Sequence, residues 1–365
     1  MSFNYRFYNS VAGKNTTTSS EGGHVQKVWG LGESAWLDTS IYEFISHTFF
    51  SSVSGYAGPN LSTCRSNYST TWDEDPLFFN MTINGIQRWT VPSSAEYTFI
   101  LTGGTGGIHG GSYYPGFPGG GAVITFTIFL QKETILNLVV GQCPTSQTGN
   151  SYNGSPGGGG SWVYQDDLTL IGVAGGGGGT GHGGASDRAG TGRGGNNANN
   201  ANESPSHPWD TGSGVPNPRK SSGTEGNNGV GYGGIDTQGG SWNGAGGGAG
   251  WLAQGDDNAS GKGGKSRTGN WLGGTSEDGS SMYGGFGGGG GSGGNGNAGG
   301  GAGGYTGGGA GKPWQSIYSG SNAWGGGAGG GSFVHASATN VNMVAGTHSI
   351  NYANVENGTI QVTKL

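Results

Sequence analysis

The sequence predicts a mainly β chain: an antiparallel sandwich with a long glycine-rich segment inserted into it. Three observations carry this reading. Between residues 85 and 174, six short runs rich in β-branched and aromatic residues follow one another. Between 175 and 331, strand and helix chemistry stops and glycine dominates. From 332 strand chemistry returns, in SFVHA (Ser332 to Ala336), HSINYA (His348 to Ala353) and GTIQVTK (Gly358 to Lys364). Strands so far apart in sequence that close one sheet are what an insertion into a sandwich requires.

The elements follow in order. Residues 1–45 share no pattern with the remainder and read as an arm that docks on other proteins, an ordinary terminal extension being the plain alternative. Helix signals are confined to SAWLDTSIYEFI (Ser34 to Ile45), which Asp38 and Thr39 interrupt, and to PNLSTCRSNYS (Pro59 to Ser69), where Pro59 opens a short helix. IQRWTV, the turn Pro92-Ser93-Ser94 and EYTFILTGG read as a hairpin. AVITFTIFL (Ala122 to Leu130) and ILNLVVG (Ile135 to Gly141) follow, joined by Gln131 to Thr134, and SWVYQDDLTLIGVAGG supplies another pair around Gln165 to Asp167. The resulting division is an arm (1–45), a first sandwich part with glycine loops (46–174), a glycine insertion (175–331) and closing strands (332–365).

The insertion poses a physical problem. Glycine makes up 89 of the 365 residues, and ordering a glycine costs roughly 1–2 kcal/mol of backbone entropy. A flexible linker avoids that cost, but linkers have no use for aromatic residues, which are 11% of this chain. One ordered solution is the polyproline II conformation, with three residues per turn, no internal hydrogen bonds and every N–H and C=O directed sideways. Glycine lets such helices pack closely and bond laterally. Trp242, Trp251, Trp271, Phe286, Tyr305, Trp314 and Trp324 sit beside glycine runs and read as clamps around such a bundle. Each buried Trp contributes about 4–6 kcal/mol. Collagen is excluded, because a strict Gly-X-Y period is missing and Pro numbers only 12.

Composition also narrows the function. A net charge of -6 with scattered Lys and Arg argues against nucleic acid. The start MSFNYRFYNS has no signal-peptide pattern, and no apolar run is long enough to span a membrane, which reads against export by that route and against membrane insertion. Cys64 and Cys143 are too few for a disulfide scaffold. The Asn-x-Ser/Thr sequons, Asn357 among them, follow from an Asn/Ser/Thr-rich composition. G-x-G-x-x-G patterns are expected by chance at this glycine content, and Gly264-Lys265-Ser266 lacks the first glycine of a P-loop. Asp73-Glu74-Asp75 and Asp256-Asp257-Asn258 are either Ca²⁺ ligands or solvated acidic turns. His109, His182, His207, His335 and His348 show no pair at metal spacing, and no nucleophile motif occurs. The reading is therefore non-enzymatic, with no cofactor and no metal.

Two stretches differ from their surroundings. Asn202 to Gly223 holds four prolines, Trp209 and the pair Arg219-Lys220; Lys312 to Trp324 holds Trp314, Tyr318 and Trp324. Aromatic and basic loops on a rigid scaffold are where binding often resides, so these six residues are the candidate receptor-binding set. Tolerated insertions, or caps on the bundle, are the alternatives.

Landmarks outside the glycine runs add a resemblance. Gly55 to Pro59 supplies G-x-x-G-P, with Gly58 and Pro59 at its end, and Cys64 follows in the short helix. Gly85 to Pro92 reads G-I-Q-R-W-T-V-P, with Gln87, Trp89 and Pro92, then Tyr97 and the glycine run 102–107. Leu138 to Gln142, Gly157 to Tyr164, Val173 to Gly176 and Gly331 to Phe333 continue the series. Across about residues 45 to 365 this resembles the glycine-rich domain of the anaplastic lymphoma kinase and leukocyte tyrosine kinase receptors and of bacteriophage proteins that share the module. The resemblance implies a jelly-roll, tumour-necrosis-factor-like β-sandwich carrying polyglycine II helices. The chain departs from the receptor forms in lacking a kinase, a membrane span and several cysteines, and looks more like the phage branch. What that implies is a tail-fibre or tail-tip adhesin at the virion surface, its arm on other virion proteins and its loops on a host-surface protein or glycan, with a homo-oligomer open. A head decoration or fibril spacer without a receptor is the alternative; a secreted ligand-binding module is a third.

Overall fold

A computed structural model describes residues 41–108, 117–145, 154–181, 195, 244–276, 281–293, 298–311, 325–347 and 355–365, with short backbone elements elsewhere. Four of those elements lie in the arm: β1 (Arg6–Asn9), β2 (Lys14–Thr18), β3 (His24–Val28) and β4 (Ala35–Leu37) pair in chain order as an antiparallel meander. The helix expected over Ser34 to Ile45 is therefore corrected: its start is a strand, and 41–45 carries no helix. Aromatic burial explains the extended path, because Phe44 enters the sandwich core with Tyr42 packed against it.

The sandwich begins with β5 (Ser46–Phe50) and α1 (Leu61–Tyr68). Asn60 caps α1 by accepting from the Thr63 N–H at 2.9 Å, so the capping residue follows Pro59. Then come β6 (Phe79–Ile83), β7 (Ile86–Thr90), β8 (Ala95–Thr102), β9 (Val123–Leu130), β10 (Ile135–Val139), β11 (Ser161–Gln165) and β12 (Leu170–Ala174). After the insertion, which carries the two-residue pair β13 (Gln315–Ser316) and β14 (Asn322–Ala323), come β15 (Phe333–Val334), β16 (Thr339–Val344) and β17 (Thr359–Lys364). One antiparallel sheet has the order β15-β12-β11-β10-β7-β6, and the other β16-β9-β8-β17-β5. The last strand of the chain lies between β8 and β5, and β15 closes on β12 across the insertion, as an inserted segment requires.

The hairpin expected around Pro92 to Ser94 is corrected. β7 and β8 lie in different sheets, and the turn carries the chain from one to the other; residues 131–134 do the same between β9 and β10. The reason is burial. Trp89 and Tyr97 are both fully buried and face each other across the sandwich at 5.9 Å, which a flat hairpin cannot provide. The Tyr97 hydroxyl donates to the Ser93 carbonyl at 2.8 Å and fixes the corner. SWVYQ and LTLIGVA do form a hairpin, with a bulge at Val163/Tyr164. HSINYA lies outside the described residues, and β5, β6 and β16 are strands the sequence reading did not mark.

One core fills the space between the sheets. Trp89, Leu136, Leu138, Val163 and Ile171 meet Tyr97, Phe99, Leu101, Ile124, Phe126, Ile360 and Val362 there. Its end is aromatic: the His47 ring lies 4.6 Å from Phe49, 4.6 Å from Tyr68 and 5.1 Å from Trp72. Burial lowers the His47 pKa to about 4, against an opposing pull from Asp73. The unfolded chain takes up the proton near pH 6.5 and the folded chain only near 4, so the penalty is absent above 6.5 and grows as pH falls to 4. We expect about 3 kcal/mol of stability to be lost through that window by this group. Denaturant unfolding at pH 7 and 4.5 checks it: His47→Gln should flatten the pH dependence, and an unchanged slope would contradict the assignment.

The insertion forms a third layer. The outer face of the six-stranded sheet presents Ile86, Val139, Trp162, Tyr164, Leu170 and Val173, and these form a second core with Trp271 and Phe286 of the glycine segment. Trp162 and Trp271 lie 4.1 Å apart, and Trp251 stacks on both. Glycine runs lie alongside each other and exchange hydrogen bonds with a repeat of three. Gly299, Ala302 and Tyr305 donate to Gly325, Ala328 and Gly331; Gly300 and Gly303 donate to Ser155 and Gly158; Gly301 and Gly304 donate to Gly246 and Ala249, all at 2.8–3.1 Å. One segment thus binds three neighbours in rotation. Gly176 and Gly179 donate likewise to Gly303 and Gly300, and Gly177 and Thr180 to Gly104 and Gly107. Positive φ among the described glycines is confined to Gly55, Gly85, Gly287 and Gly288.

Candidate functional site

The six candidate receptor-binding residues, Trp209, Arg219, Lys220, Trp314, Tyr318 and Trp324, lie outside the described residues. What the structure does describe is where their segments begin and end. The runs 103–107 and 175–180 leave β8 and β12, while 155–160, 119–122 and 325–331 lead into β11, β9 and β15. Their far ends meet: Ser155 N–H donates to Thr180, Gly107 to Pro156, Gly300 to Ser155, Gly299 to Gly325 and Gly311 to Gly299. Gly311 and Gly325, the described residues flanking 312–324, therefore lie together at the end of the glycine layer away from the sandwich. The described ends at 108, 154, 181 and 298 share that end.

Gly58, Pro59, Gln87, Trp89, Pro92 and Tyr97, which carry the resemblance, are among the described residues, and each has a structural task. Gly58 and Gly85 pass so close that a Cβ on Gly58 would lie 2.2 Å from the Gly85 Cα and 2.9 Å from the Phe286 ring, while Gly85 N–H donates to the Pro59 carbonyl at 2.8 Å. Only glycine allows this approach, and Gly85 adds a φ of +85°. Phe286 is wedged there and is fully buried. Gln87 is buried, accepts from the Tyr68 hydroxyl and ties β7 to α1. Trp89 and Tyr97 form the corner described above, and the Pro92 carbonyl accepts from Ile41 N–H at 2.8 Å.

Another clip holds the chain end. The Asn357 amide donates to the Ser51 and Val53 carbonyls, both at 2.9 Å, while its oxygen accepts from Cys143 N–H at 3.0 Å. Burial raises the Cys143 thiol above its usual pKa, and that of Cys64 to about 11, so both thiols stay protonated at neutral pH. The acidic turns are occupied internally: Asp73 accepts from the Thr70 N–H and hydroxyl, and Asp257 from Gly263 N–H. Among the described residues no group of three His, Cys, Asp or Glu side chains is placed to hold a metal ion.

A polar row reaches the margin of the second core, with Asn80 and Arg88 partly exposed and Asn137, Tyr164 and Leu170 buried. Asn80, Arg88, Asn137, Tyr164 and Leu170 form one cross-strand row over five strands. Asp166 accepts from the Asn137 amide at 2.8 Å and pairs with Arg88. Trp251 lies 5.5 Å from Tyr164, and the Arg267 guanidinium lies 5.2 Å from the Trp251 ring centre. Burial raises the Tyr164 pKa, with the Trp271 N–H pulling the other way. The alternation of β7, β10 and β11 shows which residues share a face, but alignment of the row depends on register, which sequence does not carry.

Compared with protein-family models and with curated proteins, the chain matches none.

Proposed function

We propose that the chain is a non-enzymatic structural protein of a bacteriophage virion, a tail-fibre or tail-tip adhesin that carries recognition loops on a rigid glycine layer. The observation that supports it best is the threefold hydrogen-bond repeat, because it turns a glycine-rich insertion into a stiff support with segment ends gathered at the far end. We read the repeating runs as polyglycine II helices: three residues per turn returns every third N–H to the same neighbour, and negative φ fits the left-handed form. The strand crossings at 91–94 and 131–134 favour a jelly-roll reading of the sandwich. The β1–β4 meander is the arm that docks on other virion proteins, and the loops meet a host-surface protein or glycan.

Adsorption of the labelled full chain to a panel of bacterial cells tests this. Saturable binding is expected to at least one strain and to be lost on deleting 202–223 or 312–324 with the melting temperature kept. Adsorption that survives both deletions would show that these loops are not the recognition elements, and its absence from every strain would leave the chain as a rigid spacer.

A further inference from the structure

We propose that the polar margin of the second core on the six-stranded sheet is a saccharide-binding site, formed by Arg88, Asn137, Tyr164, Asp166, Trp251 and Arg267. This rests on the adhesin reading for its biological purpose, but on different residues from the loops.

The site is held in place before any ligand arrives. Arg88, Asn137 and Tyr164 are cross-strand neighbours, so their spacing is set by the sheet. Asn137 is 7% exposed and is oriented by its bond to Asp166; Arg88 holds the other carboxylate oxygen. Trp251 is backed by Trp162 and Trp271, 6.1 and 6.0 Å away, and its carbonyl accepts from Arg267 Nε at 3.3 Å.

What remains free matches vicinal hydroxyls. The Asp166 side chain is half exposed, so its oxygens keep lone pairs for two donors. The Tyr164 oxygen accepts from Trp271 Nε1 at 3.4 Å, and among the described residues its own proton has no acceptor. Remaining guanidinium nitrogens of Arg88 and Arg267 are donors. Paired donors and acceptors at fixed spacing, beside the flat Arg267 guanidinium that lies over the Trp251 indole and offers its outer face to C–H groups, suit a sugar ring. The alternatives suit it less. Two arginines offset by an aspartate give too little positive charge for a nucleic acid, and a protein partner needs a larger apolar patch than Leu168 and Leu252 at the margins supply.

The test uses the full chain on an array of bacterial surface polysaccharides and their oligosaccharide repeats, with hits measured by calorimetry. Binding is expected and should weaken at least tenfold in both Asp166→Ala and Arg267→Ala. The Arg88–Asp166 pair is partly exposed and contributes little to stability, so Asp166→Ala should melt within a few degrees of the parent. Deleting 202–223 and 312–324 should leave array binding unchanged. No array binding, or binding indifferent to both substitutions, overturns the proposal; binding only to polyanions that vanishes with salt and survives Asp166→Ala does so too. Cell adsorption that persists in either case leaves the adhesin reading intact.

Discussion

Gly159→Val should leave little or no folded protein. A Cβ at Gly159 would lie 1.7 Å from the Phe286 carbonyl oxygen and 2.9 Å from the Gly287 Cα. That carbonyl cannot withdraw without cost, because it accepts from Gln142 N–H at 2.8 Å, while Gly159 donates to the Gln142 carbonyl and accepts from Gly104, both at 2.9 Å. Four chain segments are locked at one point. Valine there must part the layer, at a cost beyond about 4–5 kcal/mol against a total stability of the order of 5–15 kcal/mol. Gly107→Ala is the comparison, since its nearest neighbours are the Pro144 and Ser155 side chains at 3.0 and 3.1 Å. It should cost about 1–3 kcal/mol. Soluble yield and denaturant unfolding distinguish the two, and a Gly159→Val protein with parental stability would show that the layer is not packed as described.

Trp271→Ala should cost about 3–5 kcal/mol, the range for removing a buried tryptophan. The ring is fully buried between Trp162 and Trp251 and donates to Tyr164, while its backbone carbonyl accepts from Gly287 and Gly288 N–H at 2.8 and 3.1 Å. It joins the sheet to the glycine layer, so the layer should loosen first. Limited proteolysis should then cut within 244–311 before 85–174, with Trp271→Phe intermediate. Parental stability, or uniform cleavage along the chain, would show that the layer does not depend on this contact.

Much of the architecture was readable from local chemistry. The runs at Ile86, Ala122, Ile135 and Ser161 carry β-branched and aromatic residues at strand spacing, and each is a strand. The return of the chain end to the sandwich followed from the insertion logic, and β17 lies between β8 and β5. Two things were not readable. Whether Pro92 to Ser94 turns within a sheet or crosses between sheets depends on which partner buries Trp89, a tertiary question. Strand β6 (FNMTI) and strand β16 (TNVNMV) carry weak alternation and owe their form to pairing with β7 and β9. Of the seven aromatic residues beside glycine runs, Trp251, Trp271, Phe286 and Tyr305 pack in or against the second core, while Trp242, Trp314 and Trp324 lie outside the described residues. The candidate loop residues lie outside the described part, and the polar row on the outer sheet needed register to find.

Backbone hydrogen exchange in the full chain tests the glycine layer most directly. The amides of 155–160, 176–180, 299–304 and 327–331 should exchange at least about a thousandfold more slowly than an unstructured glycine chain, within an order of magnitude of β8 and β9. Exchange of those segments at the unstructured rate, with β8 and β9 protected, would mean the insertion is a loose tether and the layer does not exist in solution.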